Sequence, residues 1–422
     1  MNIAVLFGSF ILMMALSVPV GYAIGIATFI TLSCFSNIPV ALITQNAITG
    51  CDSFPLMAIP FFMLAGNLMS SGGIAKRIVD FADTLLGWIQ GGLCIVTTIA
   101  CMFFAAISGS AMATTSAIGG FMIPEMEKRG YSRPFSAALA ASAGTIGVII
   151  PPSIPFVIYA VVVGESISDL FMAGIVPGIL MGVVLIIVSV FRTGGENVSK
   201  GERPTFKKVW VSFKGAFWAL LTPVIILGGI YSGILTPTES AAAAVIWALI
   251  AGMFIYKEVK LRDLYQIFLE SAKSSAMVLF IIATSTAFAW LFAFAGISAQ
   301  LVAFVNGLNL SAATFCLITA FILLIFGTFL EGIATAVLMV PVMWPIAQSF
   351  GIDVIHFGMI VSISNVIGTM TPPVAVNIFS ASSVSKLKMG AIAKGQMPFF
   401  IGYVAVFFLV VLFPQITALF TG

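Results

Sequence analysis

Charged residues are scarce in this chain. Asp, Glu, Lys and Arg make up 8% of 422 residues, against 60% hydrophobic ones. Soluble globular domains carry roughly a quarter charged residues. A chain this poor in charge cannot cover a water-facing surface, so its sides must face lipid. Histidine occurs once, at His356, and the five cysteines (Cys34, Cys51, Cys94, Cys101, Cys316) form no C-x-x-C pair. That pattern argues against a zinc site, an iron–sulfur cluster or a disulfide framework. No G-x-x-x-x-G-K-[ST] sequence occurs, so ATP binding through a Walker A loop is excluded. The net charge of +3 is too small to suggest a nucleic-acid partner. The apolar run Ile3–Phe35 is too long for a cleavable signal and has no basic segment ahead of it.

What is abundant is apolar sequence, enough for about ten segments of roughly 20 residues. Nine runs read as spanning helices: Ile3–Phe35, Phe54–Ser71, Phe135–Val163, Leu170–Phe191, Gly215–Tyr231, Thr238–Tyr256, Ser274–Ala295, Ile355–Ser382 and Phe399–Phe420. Two further regions do not fit that scheme. Gly92–Ile107 is only about 24 Å long as a helix, meets Ser108-Gly109-Ser110, and continues as a second limb to Pro124-Glu125. Ala312–Phe329 behaves likewise, meeting Glu331-Gly332 before a second limb that ends near Pro345. Each reads as a re-entrant hairpin; the alternative is one continuous helix with small residues for close packing. Ile38–Ile48 and Val259–Glu270 look amphipathic and read as interfacial helices. The fold class is therefore an all-α integral membrane protein.

Basic residues cluster at Lys76-Arg77, at Lys128, Arg129 and Arg133, across Arg192–Lys214, at Lys257, Lys260 and Arg262, and at Lys386, Lys388 and Lys394. Nine spans with two non-crossing hairpins put every cluster on one side, which the positive-inside rule makes cytoplasmic. The expected N-terminus is then cytoplasmic and the C-terminus lies on the opposite side. The chain also repeats at an offset of about 221 residues. Ser110–Pro152 lies over Glu331–Pro373 without a gap, pairing Pro124 with Pro345, Gly130 with Gly351, Ile146-Gly147 with Ile367-Gly368, and Pro151-Pro152 with Pro372-Pro373. Upstream, Gly73-Ile74 matches Gly296-Ile297 after a small shift, so the copies extend over 54–163 and 274–382. Three spans lie between them, and the second copy is inverted, a construction of many secondary transporters.

Each copy carries one spanning run broken by paired prolines, which remove backbone donors and push the preceding residue out of helical geometry. A broken helix at membrane depth is tolerated only inside protein or beside a water-filled cavity. Its free carbonyls suit a hard cation and its free N–H groups suit an anion. One sodium site is expected at Ser108, Gly109 and Ser110 with Ser142, Gly144 and Gly147. A second is expected at Glu331 and Gly332 with Asn365, Gly368 and Thr369. The substrate is expected between them, at Pro151, Pro152 and Ser153 and at Thr371, Pro372, Pro373 and Asn377. A simple structural kink is the other reading of each proline pair. Intramembrane charge is sparse. Glu331 stands at a hairpin tip, whereas Glu239 is explained by a capping box, Thr236-Pro237-Thr238-Glu239. Asp52 reads as an interface residue and His356 as a helix-end residue.

Four stretches, Phe54–Ile74 (FPLMAIPFFMLAGNLMSSGGI), Gly147–Tyr159 (GVIIPPSIPFVIY), Gly233–Ala244 (GILTPTESAAAA) and Gly368–Phe379 (GTMTPPVAVNIF), resemble the large membrane subunit of TRAP transporters, the tripartite ATP-independent periplasmic transporters (DctM-like, of the ion-transporter superfamily). The resemblance implies a sodium-driven, elevator-type importer of small organic acids such as C4-dicarboxylates or sialic acid, in the inner membrane of a bacterium with the C-terminus periplasmic. It also implies two partners, a small four-helix membrane subunit on a separate chain and a periplasmic substrate-binding protein. The expected division is a scaffold helix with an arm over 1–53, transport-core repeats over 54–163 and 274–382, scaffold helices with a cytoplasmic loop over 164–273, and a C-terminal scaffold helix over 383–422. Two other readings stand beside it: a self-sufficient sodium/carboxylate symporter, and a membrane-embedded enzyme. The enzyme reading lacks the paired carboxylates or histidine cluster that such chemistry needs.

Overall fold

A computed structural model describes residues 3–35, 39–194, 198–372 and 374–419. Among these the structure is helical throughout, with no β-strand. Eight of the described helical stretches are long and apolar enough to cross a membrane.

The first half runs α1 (Ile3–Ala15), α2 (Val20–Phe35), α3 (Ala41–Cys51), a short turn of helix at Phe54–Met57, α4 (Ala58–Ser71) and α5 (Ile74–Leu86). Then come α6 (Gly92–Ser108), α7 (Ala111–Lys128), α8 (Arg133–Thr145) and α9 (Ile154–Val163). Three long helices follow: α10 (Ile167–Thr193), α11 (Phe206–Tyr231) and α12 (Pro237–Leu249), the last extended by a wider turn at Ile250–Ile255. The second half is α13 (Leu261–Phe294), α14 (Ile297–Gly307), α15 (Ala312–Phe329), α16 (Gly332–Ser349), α17 (Val354–Gly368), α18 (Val376–Ser385) and α19 (Met389–Leu412).

The single span expected over Ile3–Phe35 is two helices. Pro19 cannot donate to the preceding turn, and Ser17 takes a left-handed φ of 61°. Phe7 of α1 lies against Phe288 and Phe292 of α13, whereas Tyr22, just past the turn, lies against Phe280. Gly21 faces Phe280 and Gly25 faces Thr284, so α2 runs along α13 back toward the end where Phe7 sits, and α1 and α2 pack on each other as an antiparallel hairpin. Val259–Glu270 is not a separate interfacial helix, because α13 runs unbroken for 34 residues. Nor do prolines bound three helices where expected. Pro124 and Pro345 lie inside α7 and α16. Pro398 lies inside α19, which starts at Met389 instead of Phe399 and stops at Leu412, just before Pro414. Membrane helices tolerate internal prolines because neighbouring groups satisfy the freed carbonyls. The capping box at Thr236 and Glu239 is formed, and His356 sits in the first turn of α17, its N–H donating to the Asp353 cap.

The repeat is present in three dimensions. Hairpin α6–α7 matches α15–α16, and broken helix α8/α9 matches α17/α18. Left-handed glycines stand at matching junctions, Gly73 with Gly296 (φ 72° and 70°) and Gly130 with Gly351 (φ 95° and 68°). A side chain there would be strained. The repeat also extends one helix further at each end, since α10 follows α9 as α19 follows α18.

Packing divides the helices into two groups. α1–α4 pack mainly with α11–α13, while α6–α10 pack mainly with α15–α19; α5 and α14 touch both, and the two groups meet directly at α13 with α16 and at α4 with α6. α10 and α19 thus pack on the hairpins and broken helices, which differs from their expected placement in the scaffold. Arg192 Nη1 of α10 donates to the Gly395 carbonyl of α19 (2.8 Å), and the Tyr403 hydroxyl of α19 donates to the Ser142 carbonyl of α8 (2.9 Å). α10 closes on the first break through glycine. A Cβ on Gly174 would lie 2.5 Å from the Ile149 carbonyl oxygen and 2.6 Å from the Phe156 ring. Gly174→Ala should therefore cost about 1–3 kcal/mol of stability through overpacking, read as a lower thermal unfolding temperature in detergent. Gly228→Ala, with nothing within 4 Å, should be neutral or slightly stabilising. Equal melting of the two variants would contradict this packing.

Candidate functional site

Two hairpin tips and two broken helices meet at one cavity. Ser108, Gly109 and Ser110 reach it from the first tip, and Glu331 and Gly332 from the second. Val148 and Ile154 reach it from the first break, and Asn365, Thr369, Val376 and Asn377 from the second. The far wall comes from α4 (Met63, Gly66, Asn67) and α13 (Ser274, Met277, Val278).

Each tip is held on its own broken helix by close backbone approach. A Cβ on Gly109 would lie 2.8 Å from the Pro152 carbonyl oxygen, and one on Gly147 would lie 2.8 Å from Thr114 Oγ1 and 3.1 Å from the Ser110 carbonyl oxygen. Gly144 leaves room for Thr115, whose Oγ1 would sit only 1.9 Å from a Cβ there. In the second half Gly368 lies against the Gly327 backbone, at 2.5 Å from a Cβ. The Asn365 amide donates to the Gly332 carbonyl (3.0 Å), and the Val374 N–H donates to Thr328 (3.3 Å). Hydroxyls tie the first tip together: Thr114 Oγ1 donates to the Ser110 carbonyl (2.8 Å) and lies 3.0 Å from Ser108 Oγ.

The electrostatics of the cavity follow from helix ends. α7, α9, α16 and α18 all start at its wall, contributing Ala111–Ala113, Ile154-Pro155, Gly332-Ile333 and Val376-Asn377. A helix N-terminus carries roughly half a positive charge and free N–H groups. Four of them starting at the wall of one volume favour an anion there. Oxygen acceptors stand beside them. Asn365 Oδ1 and Asn377 Oδ1 are buried with no hydrogen-bond partner, and Glu331 is the ionisable residue among the described ones lining the cavity. Amide, hydroxyl and carboxylate oxygens are the donors a hard cation takes, so the residues present fit sodium. No lysine or arginine is among the described lining residues.

Not every expected residue reaches the cavity. Ser108, Gly109, Ser110, Glu331, Gly332, Asn365, Thr369 and Asn377 line it. Gly144, Gly147 and Gly368 lie behind, as packing positions. Ser142 is buried in α8, its hydroxyl donating to Ala138 and its carbonyl accepting from Thr145 and Tyr403. Pro151 and Pro152 form the break itself, and Ser153 caps α9, accepting from the Phe156 N–H (3.4 Å). Thr371 and Pro372 face a different hollow, against α19. Pro373 lies outside the described residues. The α4 and α13 wall was missed. Its one sequence signal is Asn67, a polar residue inside an apolar run, which donates to Ser271 Oγ of α13 (2.8 Å).

The sequence profile of the family described as "Tripartite ATP-independent periplasmic transporter, DctM component" matches residues 7–416. The isethionate TRAP transporter permease protein DctMQ of Oleidesulfovibrio alaskensis is 41% identical over 99% of this chain, which spans 66% of that protein. The C4-dicarboxylate TRAP transporter large permease protein DctM of Pseudomonas aeruginosa is 39% identical over 89% of this chain and 88% of its own. The 2,3-diketo-L-gulonate TRAP transporter large permease protein YiaN of Escherichia coli is 37% identical over 91% of each. Among solved structures, the YdaH transporter of Alcanivorax borkumensis superposes with a TM-score of 0.65 at 13% identity, covering 95% of this chain and 96% of that one. At that identity the likeness is one of fold.

The second tip depends on one side-chain bond to its broken helix. Asn365→Leu removes it and should lower hydrogen-exchange protection over Glu331–Thr335, while protection in α10 stays unchanged. Unaltered protection at the tip would show that backbone packing alone holds it.

Proposed function

The chain belongs to the DctM component family of tripartite ATP-independent periplasmic transporters, and from that premise we propose that it couples inward sodium movement to the import of small organic acid anions. It is a multi-pass membrane transport component and not an enzyme. The observation that carries the reading is the convergence of four helix N-termini and unpaired amide oxygens on one cavity without a basic side chain. The N-termini neutralise a substrate carboxylate or sulfonate. Sodium takes the oxygens at the tips, Ser108 and Ser110 on one side, Glu331, Asn365 and Thr369 on the other. Bound cations order the tips, and the ordered tips complete the anion site, which links the two cargoes.

The moving unit in this reading is α6–α10 with α15–α19, carried past the frame of α1–α4 and α11–α13 in an elevator motion. α5 and α14 connect the two. The packing supports this division, which takes in α10 and α19. The basic loops face the cytoplasm. Because α1 and α2 form a hairpin, the start of α1 and the end of α19 then lie on the periplasmic side. A small four-helix membrane subunit braces the frame, and a periplasmic binding protein delivers the substrate. Relatives named for isethionate, C4-dicarboxylates and 2,3-diketo-L-gulonate support a cargo among small organic anions, with sialic acid as a further candidate.

The test is uptake into proteoliposomes of isethionate, succinate, 2,3-diketogulonate and sialic acid, with and without a sodium gradient and the binding protein. Uptake of one acid should need both. Uptake with sodium alone would instead establish the self-sufficient symporter. In the same assay Ser110→Leu should raise the sodium concentration for half-maximal uptake by at least tenfold, as expected from about 1.4 kcal/mol of lost binding; an unchanged sodium titration would take Ser110 out of the cation site. For the elevator, cysteines replacing Met63 and Met112, bridged by a bifunctional thiol reagent in a background free of other cysteines, should stop uptake. Full activity in the bridged protein would rule out relative motion of α4 and α7.

A further inference from the structure

The two halves treat the backs of their broken helices differently. α10 and α19 hold matching places in the repeat, and Gln396 of α19 stands where α10 has Gly174. Behind the first break, Gly174 and Gly178 bring α10 into contact with Ile149 and Ile150 and leave no space. Behind the second, a hollow opens between Met370–Pro372 and α19, walled by Lys394, Gln396 and Met397. Gln396 is 2% exposed, yet neither Oε1 nor Nε2 has a hydrogen-bond partner. Leaving such a donor or acceptor unpaired costs about 1–3 kcal/mol.

The hollow opens outward. Met397, Ile401 and Leu412 are 58%, 66% and 49% exposed, at the three- and four-residue steps that mark one face of a helix. Exposed Lys394 ends this apolar stripe on the side of the basic loops. Pro372 and Val374 of the break are exposed as well. Irregular backbone is not tolerated against bare hydrocarbon, so this face needs a cover that is apolar along the stripe and polar at Gln396 and Lys394.

We infer that this hollow is a binding site for one anionic phospholipid with a hydroxylated headgroup, phosphatidylglycerol in chemistry, taken from the cytoplasmic leaflet. The Lys394 ammonium pairs with the phosphate. Gln396 Nε2 donates to a phosphate or ester oxygen, and Oε1 accepts from a headgroup hydroxyl, so both orphaned atoms are used. A ligand with acceptors only would leave Oε1 unpaired, and a cationic headgroup would meet Lys394. One acyl chain lies along Met397 and Ile401. The site needs only that the chain spans the membrane with its basic loops at the cytoplasmic face, and it is independent of which ion or acid is transported.

Native mass spectrometry of the full chain, released from detergent with added phosphatidylglycerol, phosphatidylethanolamine or glycerol 3-phosphate, tests it without a transport assay. Phosphatidylglycerol should be retained over phosphatidylethanolamine, and glycerol 3-phosphate should not be retained. Lys394→Gln should reduce retention by roughly fivefold, the effect of one basic residue near an anionic surface. Gln396→Leu should also reduce it. Gln396→Gly, which restores the residue of the first repeat, serves if the leucine variant does not fold. Equal retention of the two lipids would overturn the site. So would variants that hold phosphatidylglycerol as the parent does, or loss of the lipid when the small membrane subunit is co-purified, which would assign this face to that partner.

Discussion

An interrupted helix inside a membrane protein must satisfy the backbone groups it frees, and much of this structure follows from doing so twice. Each break interrupts a helix midway: the α-helix ends at Thr145, with one tighter turn over Ile146–Val148, and at Gly368, and α-helix resumes at Ile154 and at Val376. The freed groups cannot turn to lipid. A hairpin tip is therefore brought against each break, and glycines at Gly109, Gly147 and Gly368 let backbone touch backbone. The partners hold the interruption open, and the open interruption is where polar cargo can be handled.

The arrangement concentrates charge without charged side chains. Four helix starts direct partial positive charge into one volume, and the acceptors of Asn365 and Asn377 remain free within it. Fixed dipoles need no desolvated lysine or arginine, which would be expensive at that depth. A site of this kind binds only when its parts are held together. The two tips hold equivalent places in the two copies of the repeat, and in the proposed function their assembly is the step that couples ion and acid. The same repeat tolerates difference. α10 closes the first break with glycine, while α19 presents Gln396 to the second.

Much of this was legible in the residues. The low charge content established a lipid-facing chain, the proline and glycine spacing exposed the repeat, and the odd number of runs between the copies inverted it. Both hairpins and both breaks stand where spacing put them. Errors arose where proline was read as an end. Pro124, Pro345 and Pro398 lie inside helices, because neighbouring helices compensate for the lost bond. The opposite error joined α1 to α2 across Pro19, where Ser17 turns the chain back.

By itself the sequence determined the class, the repeat and the positions of the interruptions, since these follow from hydropathy and from the stereochemistry of proline and glycine along the chain. Only the tertiary structure decided which polar residues share a cavity. Ser108, Asn365 and Asn377 meet there, while Ser142, of the same composition and spacing, spends its carbonyl on Thr145 and Tyr403. Which way a side chain points, and which helix fills the space behind it, depend on contacts between segments hundreds of residues apart. No local pattern encodes the distance from Asn67 to Ser271, or the hollow behind Met370.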